Sequence, residues 1–432
     1  MTMKTVTVGF LGLGNVGCGV WEVLSGFAQE LVHRNDLKII VKKVLVRDVS
    51  KTRNVSIPRE LLTSDPAQVL DDPDISIVVE FMGGEQPATG YMLRALHNKK
   101  TVVTANKVAV ALHWPELQKT AQENNVGLYY EASVCGAIPI IHTLCESLQA
   151  NRITRLMGII NGTTNYILSR MTQNGESYES VLYDAQRLGL AEPDPASDVE
   201  GLDAAYKLSI MASLAFHARV PFDKVYCQGI TEITAMDIAC GKEMGLVLKL
   251  LAIAKKDGNT VEARVHPTFI PQTHPLASVS GSFNAVYLYG HACREMMLQG
   301  RGAGDMPTAS AVVSDLIHAA THGIHSHPTF VNENQPSRDI VFSDDWESEY
   351  FIRMSAIDAP GVLSQVSGCF ARHGVSIASM LQKESVESGG HVPLIFITHK
   401  AREKAMLAAL KELDPAIVEY HRMIRVEGKT SY

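Results

Sequence analysis

One short stretch restricts this chain more than any other. Val6-Thr-Val-Gly-Phe-Leu11 is a strand-like apolar run, and it ends in Gly12-Leu13-Gly14-Asn15-Val16-Gly17, after which an amphipathic pattern runs from Val16 to about Val32. A glycine-rich turn between a strand and a helix is the fingerprint of a dinucleotide-binding βαβ unit. Gly12 permits the tight turn, Gly14 lets the backbone approach a pyrophosphate, and Gly17 lets the helix pack close on the strand. The amides near Asn15 and Val16, at the positive end of the helix dipole, would face that anion. Such a turn alone is common, and its place on the first strand of a βαβ series makes it informative.

The series continues. After a break at His33-Arg34-Asn35-Asp36, Ile39 to Val46 is β-rich, and Ile75–Phe81, Thr101–Thr104 and Val126–Tyr130 are further strand candidates, each preceded by a helical pattern. This alternation predicts a parallel sheet, an α/β Rossmann-type domain over residues 1–135. A second region, 136–304, opens at the turn Gly136-Ala137-Ile138-Pro139. It holds strand-like Ile153–Ile160, a long helix after Asp198, and strand-like pieces at 261–270 and 284–291, which predicts an α+β catalytic and dimerisation domain. Residues 305–330 would complete the Rossmann domain, and polar 331–348, with Pro336, reads as a linker. From 349 to 432 the pattern is strand (Tyr350–Ser355), helix (Val362–Arg372), strand (Val375–Met380), the turn Gly389-Gly390, strand (Val392–Thr398), helix (401–413) and strand (Ile417–Val426). That βαββαβ order is ferredoxin-like.

Composition narrows the class. At 432 residues, two to four domains of roughly 150 residues are expected. The 39 basic and 46 acidic residues leave a net charge of −7, which argues against a nucleic-acid or anionic-membrane binder. With 46% hydrophobic and 20% charged residues the chain is globular, not disordered or fibrous. No uncharged apolar run reaches the roughly 18 residues of a membrane helix, and Met1 to Val8 lacks the pattern of a secretion signal. Seven cysteines occur without a CxxC or CxxH pairing, which is easiest in a reducing compartment. A cytoplasmic protein is expected.

Several residue groups suggest chemistry. At the end of the second strand stand Val46-Arg47-Asp48, with Lys51 and Arg53 beyond. A guanidinium there suits the 2′-phosphate of NADP, whereas Asp48 keeps NAD open. Residues 192–207 hold five carboxylates, Glu192, Asp194, Asp198, Glu200 and Asp203. Ser197 and Glu200 have capping-box spacing. Asp203 and Lys207 are four apart, one turn on the same helix face. An exposed salt bridge is the ordinary reading of such a pair, but Ala204, Ala205 and Leu208 beside Lys207 predict burial, and a buried lysine next to a carboxylate is a proton-transfer group. Asn161-Gly162-Thr163-Thr164-Asn165 and Gly300-Arg301-Gly302-Ala303-Gly304 precede helices whose amides, with the Thr163 and Thr164 hydroxyls, could hold anions. Lys107, in Thr104-Ala105-Asn106-Lys107, sits at a strand end in the parallel sheet, where ligands bind. His318, His322, His325 and His327 invite a metal reading, but no carboxylate or cysteine completes the set, and they read as a solvated helix end.

Taken together, GLGNVG (12–17), VVTANK (102–107), YEASVCGAIPII (130–141), GIINGTTNYIL (158–168), AEPDPASDVEGLDAAYKL (191–208) and GAGDMPTASAV (302–312) resemble homoserine dehydrogenase. They occur in that family's order over the first 330 or so residues, and the acidic signature is the most specific of them. The tail from Tyr350, with Asp358-Ala-Pro-Gly-Val-Leu363, resembles an ACT regulatory domain. With no kinase-like region ahead of it, the chain is similar to the monofunctional form.

The resemblance implies interconversion of L-aspartate 4-semialdehyde and L-homoserine with NADP(H) or NAD(H), in threonine, methionine and isoleucine synthesis. It implies Lys207 as proton donor to the carbonyl oxygen, with Lys107 assisting and touching the cofactor. Glu192 and Asp203 would hold the substrate ammonium, Asp203 also orienting the lysine, with Asp198 in support; Gly162 and Thr163 would receive the carboxylate. Gly12 to Gly17, Arg47, Gly189 and Gly304 would lie against the cofactor. A sodium ion would bind the backbone carbonyls of Glu131, Val134, Gly136 and Ile138, with Cys135 standing where the family more often has Gly or Ala. The ACT module implies feedback by threonine and a homodimer or homotetramer. A catalytically silent amino-acid sensor would lack Lys207 or Asp203, and both are present.

Overall fold

Strands β1 (Lys4–Leu11), β2 (Leu37–Leu45), β3 (Leu62–Thr63), β4 (Ile77–Glu80), β5 (Thr101–Thr104) and β6 (Leu128–Tyr129) form one sheet in the order β3-β2-β1-β4-β5-β6. Every pairing is parallel. The structure, a computed structural model, describes residues 3–322, 339–382 and 390–428. Runs such as Ile77-Val-Val-Glu80 are buried throughout, as expected of strands covered by helices on both faces. Strand order reverses between β1 and β4, so a crevice opens beyond their carboxyl ends, where this fold places ligands.

The helix after β1 is Asn15–Gly26, and a second helix, Ala28–Asn35, starts after Phe27 leaves helical geometry at φ −106° and ψ 5°. The single amphipathic stretch expected to Val32 is therefore two helices. Helix Asp305–His322 returns to this unit: a Cβ on Gly19 would stand 2.9 Å from the Asp305 carbonyl oxygen, and Val312 and Leu316 join the core of Val8, Phe10 and Val44.

The second sheet is mixed. Its order is Arg294–Arg301, Phe283–Gly290, Ile153–Ile159, Leu246–Asp257, Thr260–Pro271, Val418–Val426, Glu347–Ile357, His391–Thr398 and Ile377–Gln382. Leu246–Asp257 and Arg294–Arg301 were not anticipated. The last four strands, with helices Val362–Arg372 and Glu403–Glu412, are the ferredoxin-like module. Its strand Val418–Val426 runs parallel to Thr260–Pro271, pairing Arg425 with Thr268 and Val426 with Phe269, so one sheet passes from the middle of the chain into the tail.

Part of the expected linker is structured: Val341–Phe342 pairs with Thr260 and Val261, and Trp346 is buried. Residues 323–338, with His325 and His327, and Gly389 lie outside the described residues. Among those described, no helix is long and apolar enough to cross a membrane.

Candidate active site

The glycine turn has the shape a dinucleotide needs. Gly12 has φ +104°, a left-handed value that a side chain resists. A Cβ on Gly17 would stand 3.1 Å from the Gly12 carbonyl oxygen, whereas one on Gly14 would meet nothing within 4 Å. Gly14 and Asn15 are exposed at the start of helix Asn15–Gly26, with Leu13 buried beneath them. Gly304, φ +120°, lies at the start of helix Asp305–His322 against the same unit, and Gly189, φ +72°, closes helix Tyr178–Arg187. Arg47 is exposed at the end of β2. Asp48 accepts hydrogen bonds from the Ser50 amide (2.7 Å) and hydroxyl (2.6 Å), a local turn that occupies it.

At the far edge of the crevice Asn106 caps helix Lys107–Glu123 by accepting from the Ala109 amide. That cap sets Lys107 at the helix start, where its ammonium lies 2.7 Å from Asp203 Oδ1. Glu80, not anticipated as a site residue, braces the strand ends. It accepts from the Thr104 hydroxyl (2.5 Å) and from the Met82 and Gly83 amides (2.6 and 3.2 Å).

Asp203 itself comes from helix Leu202–Phe216. The expected capping box is absent, because Ser197 lies inside a short helix, Ala196–Val199, and the long helix begins after Gly201. Gly201 has φ +86°, and a Cβ there would stand 3.1 Å from Cys227 Sγ, so this turn requires glycine. One turn on, Lys207 donates to Asp203 Oδ2 (2.7 Å) and to the Ile160 carbonyl oxygen (2.9 Å). Both side chains are nearly buried, 10% exposed for Lys207 and 4% for Asp203, so the pair is not the ordinary surface salt bridge. Burial opposes the charged form of Asp203, yet Lys207 and Lys107 outweigh it and hold the carboxyl far below the usual range. In return Asp203, with Asp198 and Glu192 beyond it, holds Lys107 above the ordinary lysine range against its own desolvation.

Asn161 ties this cluster together. Its side-chain amide donates to Asp198 Oδ1 (2.7 Å) and Asp203 Oδ2 (2.9 Å), while its carbonyl oxygen accepts from the Thr164 amide and caps helix Gly162–Asn174. Its role as hub was missed; its place between a strand and a helix was the available signal. The two threonine hydroxyls are engaged internally, Thr163 with Leu190 and Asp198 and Thr164 with Asn161. They are therefore not the anion donors expected. The amides of Gly162 and Thr163, first in the helix, have no intrahelical acceptor and keep that role open. Glu192 is exposed beside the cluster.

The turn proposed for a cation is built from two successive left-handed residues, Cys135 (φ 57°) and Gly136 (φ 53°). A Cβ on Gly136 would stand 2.7 Å from the Gly302 carbonyl oxygen. Glu131 and Ile138 carbonyls accept from the Val134 and Ile140 amides. Val134 and Gly136 are buried, and among the described residues nothing donates to their carbonyls. Burial pushes the Cys135 thiol up to about 12, so it is inert.

Of the four histidines, His322 is exposed at the end of helix Asp305–His322, whereas His318 is half-buried, and a segment more than a hundred residues earlier brings His142 and one carboxylate, Glu146, against it.

Comparison with known proteins gives a consistent assignment. Residues 139–317 match the homoserine dehydrogenase family, 12–131 match the homoserine dehydrogenase NAD-binding domain, and 350–415 match the ACT domain. Homoserine dehydrogenase of Bacillus subtilis is 42% identical over 99% of this chain and 99% of its own. The crystal structure of a homoserine dehydrogenase from Thiobacillus denitrificans superposes with a TM-score of 0.92 at 41% identity, covering 99% of both chains. A hyperthermophilic archaeal homoserine dehydrogenase in complex with NADPH covers 75% of this chain and 99% of its own, with a TM-score of 0.63 at 25% identity. The chain belongs to the homoserine dehydrogenase family.

Proposed function

We propose that Lys207 is the proton-transfer group for interconversion of L-aspartate 4-semialdehyde and L-homoserine, with Asp203 as the carboxylate that aligns it. The observation carrying this reading is that one buried carboxylate lies 2.7 Å from both Lys107 and Lys207. The substrate is a zwitterion, so it needs carboxylates at one end and amides at the other. Glu192 and Asp203 face its ammonium, Asp198 holds Asn161 and Thr163 in place, and the amides of Gly162 and Thr163 receive its carboxylate. The aldehyde oxygen then lies by Lys207, which protonates the developing alkoxide. Lys107 adds a second positive charge at that oxygen and reaches the cofactor edge.

The glycine turn fits a nicotinamide dinucleotide: the amides of Gly14, Asn15 and Val16 would hold its pyrophosphate, and Gly189 and Gly304 would lie against it. When bound it gives or takes the hydride. With Asp48 engaged by Ser50, Arg47 is the group placed to meet a 2′-phosphate, which favours NADP over NAD. The two buried carbonyls without donors, Val134 and Gly136, fit a sodium ion shared with Glu131 and Ile138. The ACT module would bind threonine as a feedback signal, with chains paired as a dimer or tetramer. None of the seven cysteines forms a disulfide, which fits a cytoplasmic setting. Absorbance assays of homoserine oxidation with NADP and with NAD, each with and without threonine, test this reading; no turnover with either cofactor would overturn it.

A further inference from the structure

We propose that His142, Glu146 and His318 form a binding site for a divalent transition-metal ion of the zinc type, separate from the catalytic cluster. His142 ends the short helix Ile140–His142, Glu146 follows one turn later, and His318 reaches them from helix Asp305–His322. One ligand atom from each lies within 4.8 Å of the others, a spacing that a single ion can bridge with modest side-chain movement. The rings of His142 and His318 are 5.4 Å apart, centre to centre.

His142 is held between two carboxylates. Its Nε2 lies 3.1 Å from Oδ1 of Asp315, a fully buried carboxylate. Its Nδ1 lies 2.9 Å from Glu146 Oε1. A buried carboxylate holding one imidazole nitrogen, while the other faces further ligands, is the arrangement that orients metal-bound histidines. A metal ion would take the place between His142 Nδ1 and Glu146 Oε1, now 2.9 Å apart, and add His318. His318 is half-buried and brings its ring to that of His142. Two imidazoles, one carboxylate and an open position filled by water suit zinc, cobalt or nickel better than sodium or magnesium. The site is thus chemically unlike the carbonyl turn of residues 131–138. An ion there would join helix Asp305–His322, which begins at the nucleotide crevice, to the segment that follows that turn.

The test is isothermal titration of zinc chloride into the chelator-treated full-length protein, in sodium-containing buffer without substrate. One saturable equivalent is expected, with visible ligand-field absorption when cobalt replaces zinc. His318→Gln should weaken binding by roughly tenfold or more, with unchanged melting temperature in chelator. Glu146→Gln, at an exposed position, carries the same expectation if His318→Gln does not fold. Absence of a saturable equivalent, or undiminished zinc affinity in a folded variant, would overturn the proposal.

Discussion

Lys107 and Asp203 lie 2.7 Å apart although one stands at the end of the nucleotide-binding sheet and the other on a helix of the second region. The same carboxylate holds Lys207 through its other oxygen. Asp203→Asn keeps the shape but removes the charge between two ammonium groups, which then repel. Turnover should fall by about 10²–10⁴-fold, while cofactor affinity measured by fluorescence titration stays close to wild type. A fall confined to KM would show that Asp203 only binds substrate.

Proton transfer through a lysine also has a direction in pH. A lysine of ordinary pKa, about 10.4, is a ready acid at neutral pH and a poor base. Lys107, raised further by Asp203, stays an ammonium. Homoserine oxidation should therefore accelerate as pH rises from about 7 towards about 10, while aldehyde reduction does not. A flat kcat profile for homoserine oxidation over that range would remove lysine from the role.

Arg47 is exposed at the end of β2 while its neighbour Asp48 is held by Ser50. Charge-assisted bonds to a phosphate contribute about 1.5–3 kcal/mol. Arg47→Ala should thus lower kcat/KM for NADPH by roughly tenfold to a hundredfold and leave NADH almost unchanged. Equal losses with both cofactors would place Arg47 elsewhere.

The joint between the two halves of the long sheet is ionic. Glu427 lies 2.6 Å from Arg264, 3.0 Å from Lys255 and 3.1 Å from Arg155. Burial opposes its charge, but these cations bring its pKa down from 4.5 to about 2. Lys255 is itself pulled below the ordinary amine range by burial, so Arg264, permanently charged, is the partner that decides the balance. A carboxyl lowered on folding contributes stability above its unfolded pKa and loses it as pH falls through the folded one. Glu427→Gln should therefore cost about 3–5 kcal/mol near neutrality. Thermal melts of the two proteins should converge as pH drops from 4.5 towards 2.

Much of the fold was legible because its signals are local. The glycine turn, the strand before it and the helix Val362–Arg372 follow from apolar periodicity and chain-breaking residues. Leu246–Asp257 was missed because it is buried on both faces over most of its length, so its apolar residues do not alternate with polar ones, and Arg294–Arg301 because no residue of it is fully buried and its sequence shows no period-two pattern. In the site, Asp203 and Lys207 could be paired from their spacing alone. Lys107 with Asp203, and His142 with His318, could not be, since packing of distant elements makes those neighbours. The false capping box shows the converse, where correct spacing at Ser197 and Glu200 lost to a left-handed turn at Gly201.

Whether Lys207 moves the proton is decided by rapid-mixing oxidation of NADPH by L-aspartate 4-semialdehyde in Lys207→Ala, with cofactor affinity measured on the same sample. The rate should fall by at least about 10²-fold with cofactor binding intact. A near-normal rate would take the proton away from Lys207.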